Sequence, residues 1–351
     1  MSTAASAPVP DRPAEGRPPT VDVVMSTYNG ERYVAEQLDS ILAQTATGWR
    51  LLVRDDGSTD GTAEILRRYA ARDERIRCVD GGAPAENLGF VGSFHALVRQ
   101  ADADFVVFSD QDDVWLPTKL EVLLAEAQRH DNTVPALYYT RWQPVDEHLA
   151  PIPGVGDRQD LFATTRLHEQ LTTNSVLGAT SMINARLAAA WQGYQGLRSH
   201  DVYLGLVAAS LGELVYLPQT TTLYRQHGHN QYGVDHQSAG SGSLRSRTEQ
   251  FWTYYVEQKK REARLVLAIT GASIPPVRRR LLEDFVALNT YPLPRRVRLV
   301  LRHRFYQRST IATVKLWALL ATNYGNPAGR SAGLAASTPV PRGADAGTTN
   351  G

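Results

Sequence analysis

The sequence predicts an α/β chain on a mostly parallel, Rossmann-like sheet with helices on both faces, followed by a helical, basic carboxyl-terminal extension. Three observations predict it. Short apolar runs alternate with stretches of helical periodicity through the first half. Three of those runs end in clusters of polar, turn-forming residues, as strands do at the ligand-binding edge of an open α/β sheet. From about residue 243 the pattern turns helical and arginine accumulates.

The elements follow in order. Residues 1–20, with Pro, Ala and charge, read as a disordered tail and carry no apolar core of the kind a secretory signal needs. Residues 21–26 (VDVVMS) are the first strand, stopped by Tyr28, Asn29 and Gly30. Val34, Leu38, Ile41 and Leu42 then share one helical face. Residues 49–53 give a second strand, ending in Asp55-Asp56-Gly57-Ser58, and the next helix carries Ile65, Leu66 and Tyr69 with Ser58 or Asp60 as caps. A third strand at 75–79 precedes the turn Asn87-Leu88-Gly89 and a helix over 91–99. FVVFS at 105–109 is a buried strand that runs straight into Asp110-Gln111-Asp112-Asp113.

Beyond Leu116 the pattern loosens. A helix is expected around Leu120, Leu123 and Leu124, strands at 136–139, 180–183 and 213–217, and a helix over 201–211. The expected division is a tail over 1–20, a main domain over 21–242, a helical extension over 243–325 and a second tail over 326–351.

Composition narrows the function. Apolar residues make up 42% of the chain, enough for a packed core. Lys plus Arg number 37 against 36 acidic residues, so no global hold on nucleic acid is indicated. Cys78 is the only cysteine, which excludes an intrachain disulfide and a thiolate zinc cluster and fits a reducing cytoplasm. Eighteen apolar residues never run without a charge, so no transmembrane helix is expected, and any contact with the inner face of a membrane is peripheral.

The strand ends carry the chemistry. Asp110, Asp112 and Asp113 stand within four positions, where they repel unless a cation sits among them; hard oxygen ligands suit Mg²⁺ or Mn²⁺. An aspartate at the end of the second strand could accept the imide N–H of uracil or thymine. Thr27, Tyr28 and Asn29 offer a hydroxyl, a ring and a turn for a base. Taken singly, each cluster also has a structural reading: an acidic turn, a helix cap, a tight turn.

Together, MSTYNGERYVAEQLDSILAQT, VRDDGSTDGT, ENLGF and FSDQDDVW resemble the amino-terminal half of family-2 glycosyltransferases, nearest the rhamnosyltransferase-like branch, over residues 21–233. The resemblance implies a GT-A fold, inversion at the anomeric carbon and a divalent metal at Asp110 and Asp112. It implies nucleotide-sugar contacts from Thr27, Tyr28, Asn29, Asp55 or Asp56, Asn87, Gly89, Asp110 and Gln111, and a catalytic base at Asp201 in Ser199-His200-Asp201. In Tyr224-Arg225-Gln226-His227-Gly228 it implies a segment closing over the donor, with Arg225 on the diphosphate and His227 on metal or phosphate; His229 reads as a surface residue. The branch suggests dTDP-rhamnose as donor, and UDP-sugars fit the same motifs. The acceptor hydroxyl could belong to a saccharide, a lipid-linked molecule or a small molecule.

Nine arginines and Lys315 fall between residues 277 and 315, interspersed with Val297, Leu299, Val300, Leu301, Phe305 and Tyr306. Such an element could lie on anionic lipid or pack as a solvated helical face. Two other functions share the metal-and-nucleotide chemistry: a nucleotidyltransferase acting on sugar phosphates, and a catalytically silent nucleotide-sugar-binding protein.

Overall fold

In VDVVMST every residue but Ser26 is buried, because β1 (Val21–Thr27) lies inside the sheet with a neighbour on each side. This computed structural model describes residues 17–81, 86–154, 159–228, 248–249, 251–307, 309–324 and 326. The expected boundary at 242/243, His229 and most of both expected tails lie outside the described residues.

β1 pairs in parallel with β2 (Trp49–Asp55) and β4 (Phe105–Ser109), and β2 with β3 (Ile76–Cys78). The connections are α1 (Val34–Leu42), α2 (Thr62–Ala70) and α3 (Gly89–Val98). Side chains alternate across the sheet. Val21, Val23 and Met25 join a core with Leu38, Ile41 and Leu66, whereas Val24 faces Phe94 and Leu97 on the other side. Asp60 accepts the Thr62 N–H at 3.0 Å where α2 begins, while Ser58 turns back to Asp55.

The rest of the sheet adds antiparallel pairs to the parallel ones. The strand order is β3-β2-β1-β4-β7-β6-β8-β5. β7 (Ser181–Asn184) runs antiparallel to β4 and to β6 (Ala136–Val145). β8 (Glu213–Arg225) is parallel to β6, and β5 (Val114–Trp115) antiparallel to β8. The sheet is therefore mixed, parallel on the β3 side and largely antiparallel beyond β4.

β6 and β8 both outrun their expected ends. They stay paired to Val145 and Arg225 through register shifts at Thr140, Arg141 and Trp142, which interrupt the apolar alternation. Tyr224 and Arg225, expected in a segment closing over the donor, form the end of β8.

The helices α4 (Lys119–Ala127), α5 (Gln159–Phe162), α6 (Leu167–Gln170), α7 (Ala185–Ala190) and α8 (His200–Leu211) complete the first part. A π-helical turn over Trp252–Val256 leads into α9 (Glu257–Thr270), α10 (Pro276–Ala287), α11 (Leu293–His303) and α12 (Thr310–Thr322). Trp252, Val266, Phe285, Leu299 and Leu316 share one core with Val24, Phe94 and Tyr203, so the helical region packs on the α3 face of the sheet. Among the described residues no helix is long and apolar enough to cross a membrane.

Candidate active site

Side-chain hydrogen bonds draw three strand ends into one edge. Gln111 reaches from the end of β4 to the end of β1: its Oε1 accepts the Tyr28 N–H at 2.9 Å, and its Nε2 donates to the Tyr28 carbonyl at 3.0 Å. Asn29, in the left-handed region at φ 47°, donates its N–H to Ser58 Oγ at 2.8 Å and accepts the Thr59 N–H at 2.8 Å. The Thr27 hydroxyl donates to Asp55 Oδ1 at 2.8 Å. A fourth segment joins through Asn87, whose Nδ2 donates to the Asp56 carbonyl at 2.9 Å, and through the Leu88 N–H, which bonds Asp56 Oδ1 at 2.9 Å.

These segments open onto a cavity of about 720 Å³. Tyr28, Asp56, Asn87, Gly89, Asp110, Gln111 and Asp112 line it from the strand-end side, and Asp201 from the start of α8. Five expected contact residues do not line it. Asp55 spends both oxygens inside the fold, on the Thr27 hydroxyl and on the Ser58 N–H and hydroxyl, so Thr27 and Asp55 brace the edge from behind. Asn29 is committed to the 58–59 turn.

Arg225 is buried at the end of β8. Its guanidinium donates to the Asp112 carbonyl at 2.8 Å, the Glu147 carbonyl at 2.6 Å and the Glu36 carboxylate, and lies over the Tyr33 ring. His227 stacks on Tyr33 with centroids 4.9 Å apart, and its Nε2 meets Asp112 Oδ2 at 2.8 Å. The structure thus gives both residues a hold on Asp112 rather than a place in the cavity wall.

The carboxylates crowd. Asp110 is pushed above the usual carboxylate range by burial, then by Asp112 and Asp201, with Lys119 opposing. Asp113 is fully buried and pushed well up by burial, then by Asp112 and Asp110; its Oδ1 accepts the Arg225 N–H at 3.1 Å, while Oδ2 has no hydrogen-bond partner among the described residues. Asp201, the second residue of α8, is pushed up to about 6 by desolvation; backbone N–H groups of Val202 and Gly178 and the Lys259 charge pull the other way. Desolvation therefore outweighs the helix-start position. Ser199, not Asp201, holds the cap position of α8.

Do these residues fit a divalent cation? Among the described residues no three His, Cys, Asp or Glu side chains form a ready-made metal cluster. A cation that keeps most positions for water and substrate phosphates needs only one or two protein carboxylates. Asp110 and Asp112 face the cavity together, and the mutual repulsion that raises Asp110 is what a cation between them would relieve. The pair fits, with His227 beside Asp112.

Several side chains at the site escaped the sequence reading. Arg54, in the middle of an apolar strand, is buried and ion-pairs with Asp56. Lys119 is buried beneath the aspartates, donating to the Ala179 carbonyl and to Thr222 Oγ1 at 3.0 Å, with its ammonium 3.9 Å from the Trp115 ring centre. An Arg inside a β-run and a Lys four residues after Trp115 were the available signals. His200 packs against Phe94 and Phe108, neither ring nitrogen has a hydrogen-bond partner among the described residues, and burial pushes it down to about 3, so it is neutral. Asn174, Arg198, Tyr255, Gln258, Lys259 and Glu262 line the far side of the cavity. Nothing in their spacing links them to the strand ends.

Comparison with known proteins agrees with this architecture. Residues 22–188 match the family described as Glycosyl transferase family 2. The chain is 36% identical over 113 residues to EpsE of Bacillus subtilis, named as a glycosyltransferase, which covers 32% of this chain and 40% of EpsE. It is 31% identical over 105 residues to WfgD of Escherichia coli, named UDP-Glc:alpha-D-GlcNAc-diphosphoundecaprenol beta-1,3-glucosyltransferase, over 30% of this chain and 40% of WfgD. The chain thus spans less than half the length of either relative. The crystal structure of S. aureus TarS 1-349 in complex with UDP-GlcNAc superimposes with a TM-score of 0.53 at 18% identity, covering 89% of this chain and 92% of that one. Residues 22–188 thus match a Glycosyl transferase family 2 domain, and the fold is of the GT-A type.

Proposed function

We propose that the chain is a metal-dependent, inverting glycosyltransferase that moves a sugar from a nucleotide-diphosphate donor to an acceptor hydroxyl. One observation carries the reading: the strand-end groups Tyr28 and Asp56, the carboxylates of Asp110 and Asp112, and the carboxyl of Asp201 line a single cavity. The base and ribose belong against Tyr28, Asp56 and Asn87. Asp56 is the better of the aspartate pair for a uracil or thymine imide, because Asp55 has both oxygens engaged. Asp110 and Asp112 would hold Mg²⁺ or Mn²⁺, which when bound serves as a Lewis acid toward the departing diphosphate. Asp201 takes the acceptor's proton as its oxygen attacks the anomeric carbon. A donor of dTDP-rhamnose or a UDP-sugar suits this arrangement; the UDP-GlcNAc held by TarS favours the uridine form.

Melting curves of the full chain with UDP, dTDP and their sugars in Mn²⁺ test the donor. A ligand about a hundredfold above its Kd should stabilise the fold by about 2.7 kcal/mol. No shift with any of them would sink the reading. Release of pyrophosphate from a nucleoside triphosphate and sugar phosphate, without sugar transfer, would favour the nucleotidyltransferase instead.

The Gln111 bridge makes a further prediction. A Cβ on residue 30 would stand 2.3 Å from Gln111 Oε1, so Gly30→Ala drives that side chain off Tyr28. With two hydrogen bonds lost at about 1 kcal/mol each, nucleotide affinity measured by calorimetry should fall by roughly tenfold or more.

The acceptor is a saccharide or small molecule, or a lipid-linked one held near a membrane surface. Support for the last comes from α11, where Leu293, Val297 and Leu301, spaced i, i+4, i+8, are exposed beside arginines. The chain should sediment with phosphatidylglycerol vesicles and less with neutral ones, and Val297→Glu with Leu301→Glu should release it. Absence from both pellets removes the membrane contact.

A further inference from the structure

Lys259 and Glu262 lie one turn apart on α9, 5% and 1% exposed. Lysine and glutamate are almost never buried to that degree unless well paired, because desolvating either ion is strongly unfavourable. The partnership they make with each other is incomplete. Nζ and the nearest Glu262 oxygen, Oε2, stand 3.9 Å apart, beyond hydrogen-bond reach. Neither of those two atoms has a hydrogen-bond partner among the described residues; the other oxygen, Oε1, accepts from Gln258 Nε2 at 3.2 Å. A buried donor and a buried acceptor are thus left side by side, both unsatisfied.

Both side chains line the cavity that holds Asp110, Asp112 and Asp201. Their place along it follows from which charges bear on which. Asp112 and Asp201 act on Asp110, whereas Lys259 and Glu262 act on Asp201. Lys259 and Glu262 thus lie close enough to Asp201, in the same cavity, for their charges to bear on it. A molecule seated in the cavity beside Asp201 on the α9 wall meets Lys259 and Glu262.

We propose that Lys259 and Glu262 form the acceptor subsite, gripping two neighbouring hydroxyls of a saccharide ring, one donating to Glu262 Oε2 and the other accepting from Lys259 Nζ. The proposal rests on the glycosyl-transfer reading above. A diol is the chemistry that satisfies both orphans at once, since each hydroxyl is donor and acceptor. An anionic group would face Glu262, a cationic group would face Lys259, and an apolar group would leave both unsatisfied. Tyr255, one turn before Lys259, also lines the cavity and is fixed by its hydroxyl, which donates to the Thr172 carbonyl at 2.6 Å. It offers a ring for the C–H face of a sugar.

The test uses the full chain, a panel of methyl glycosides as acceptor probes read by saturation-transfer NMR, and calorimetric titration of UDP and dTDP with Mn²⁺. Variants are Glu262→Gln, Lys259→Met and the two combined. Either single change strands a buried charge and could cost the fold. The double variant keeps volume and neutrality, so it is the deciding protein, with its melting temperature checked against the wild type.

The wild type should bind at least one glycoside, and the double variant should bind it roughly ten- to a hundredfold more weakly while nucleotide affinity stays the same. Unchanged glycoside binding in the double variant overturns the proposal. So does a wild type that binds no glycoside, or a nucleotide affinity that falls in parallel. A wild type that binds glycosides but neither nucleotide would instead overturn the parent reading.

Discussion

Asp112→Ala, and equally Asp110→Ala, is expected to lower kcat by about 10²- to 10³-fold, an effect of roughly 3–4 kcal/mol on the barrier. In the proposed reaction the diphosphate leaves with charge developing on its oxygen, and among the described residues no lysine or arginine lines the strand-end side of the cavity. Lys119 and Arg225 are nearby but committed, the first to Ala179 and Thr222, the second to Asp112, Glu147 and Glu36. On the proposed mechanism, stabilising that charge therefore falls to the cation the carboxylate pair would hold. Chelation with EDTA should reproduce the loss in the wild type, and Mn²⁺ should restore it there but not in Asp112→Ala. The measurement is sugar transfer at saturating donor, alongside nucleotide affinity with and without Mn²⁺. Full turnover of either variant in chelator would remove the metal from the mechanism.

Asp201→Asn should leave nucleotide affinity within experimental error and reduce kcat by about 10²- to 10⁴-fold, the usual contribution of a positioned base. The amide keeps shape and can still accept the Val202 N–H, which Asp201 Oδ1 takes at 2.7 Å, so the start of α8 should hold. The pH profile gives a sharper signature. Only the ionised carboxylate can accept a proton, and desolvation has raised its pKa to about 6. Activity should therefore be present above that value and fall about tenfold per pH unit below it, with the midpoint near 6 rather than in the usual aspartate range. In the asparagine variant this acidic limb should vanish. A wild-type profile flat down to pH 4.5 would assign the proton to another group.

The half of the site made by consecutive βα units was legible in the sequence. In such units the polar residues after each apolar run must emerge at one edge, so Tyr28, Asp56, Asn87, Asp110 and Asp112 could be grouped without coordinates. Asp201 could be placed only through its setting in Ser199-His200-Asp201, since its distance from Asp110 depends on the antiparallel turn of the sheet through β7. That turn was not readable. Ser181–Asn184 is four buried residues, and a short apolar run does not state its direction.

The positions of Arg225 and His227 were hidden for a similar reason. A Tyr-Arg-Gln-His-Gly stretch reads as a loop, whereas pairing with Pro144 and Val145 carries Tyr224 and Arg225 into β8 and beneath Asp112. Lys259 and Glu262 gave no signal at all, because a charged helix such as EQKKREARLVLAIT normally shows those side chains to water.

The change of strand direction past β4 has a consequence for how such a chain can diversify. Among the described residues, the groups that line the strand-end side of the cavity come before residue 113, with Tyr224 at the end of β8 the exception, and those of the opposite wall come after residue 170. On the proposed assignments, recognition of what is given and of what receives it is therefore written largely in separate stretches of gene. Recombination between relatives downstream of Trp115 could exchange one preference while conserving the other.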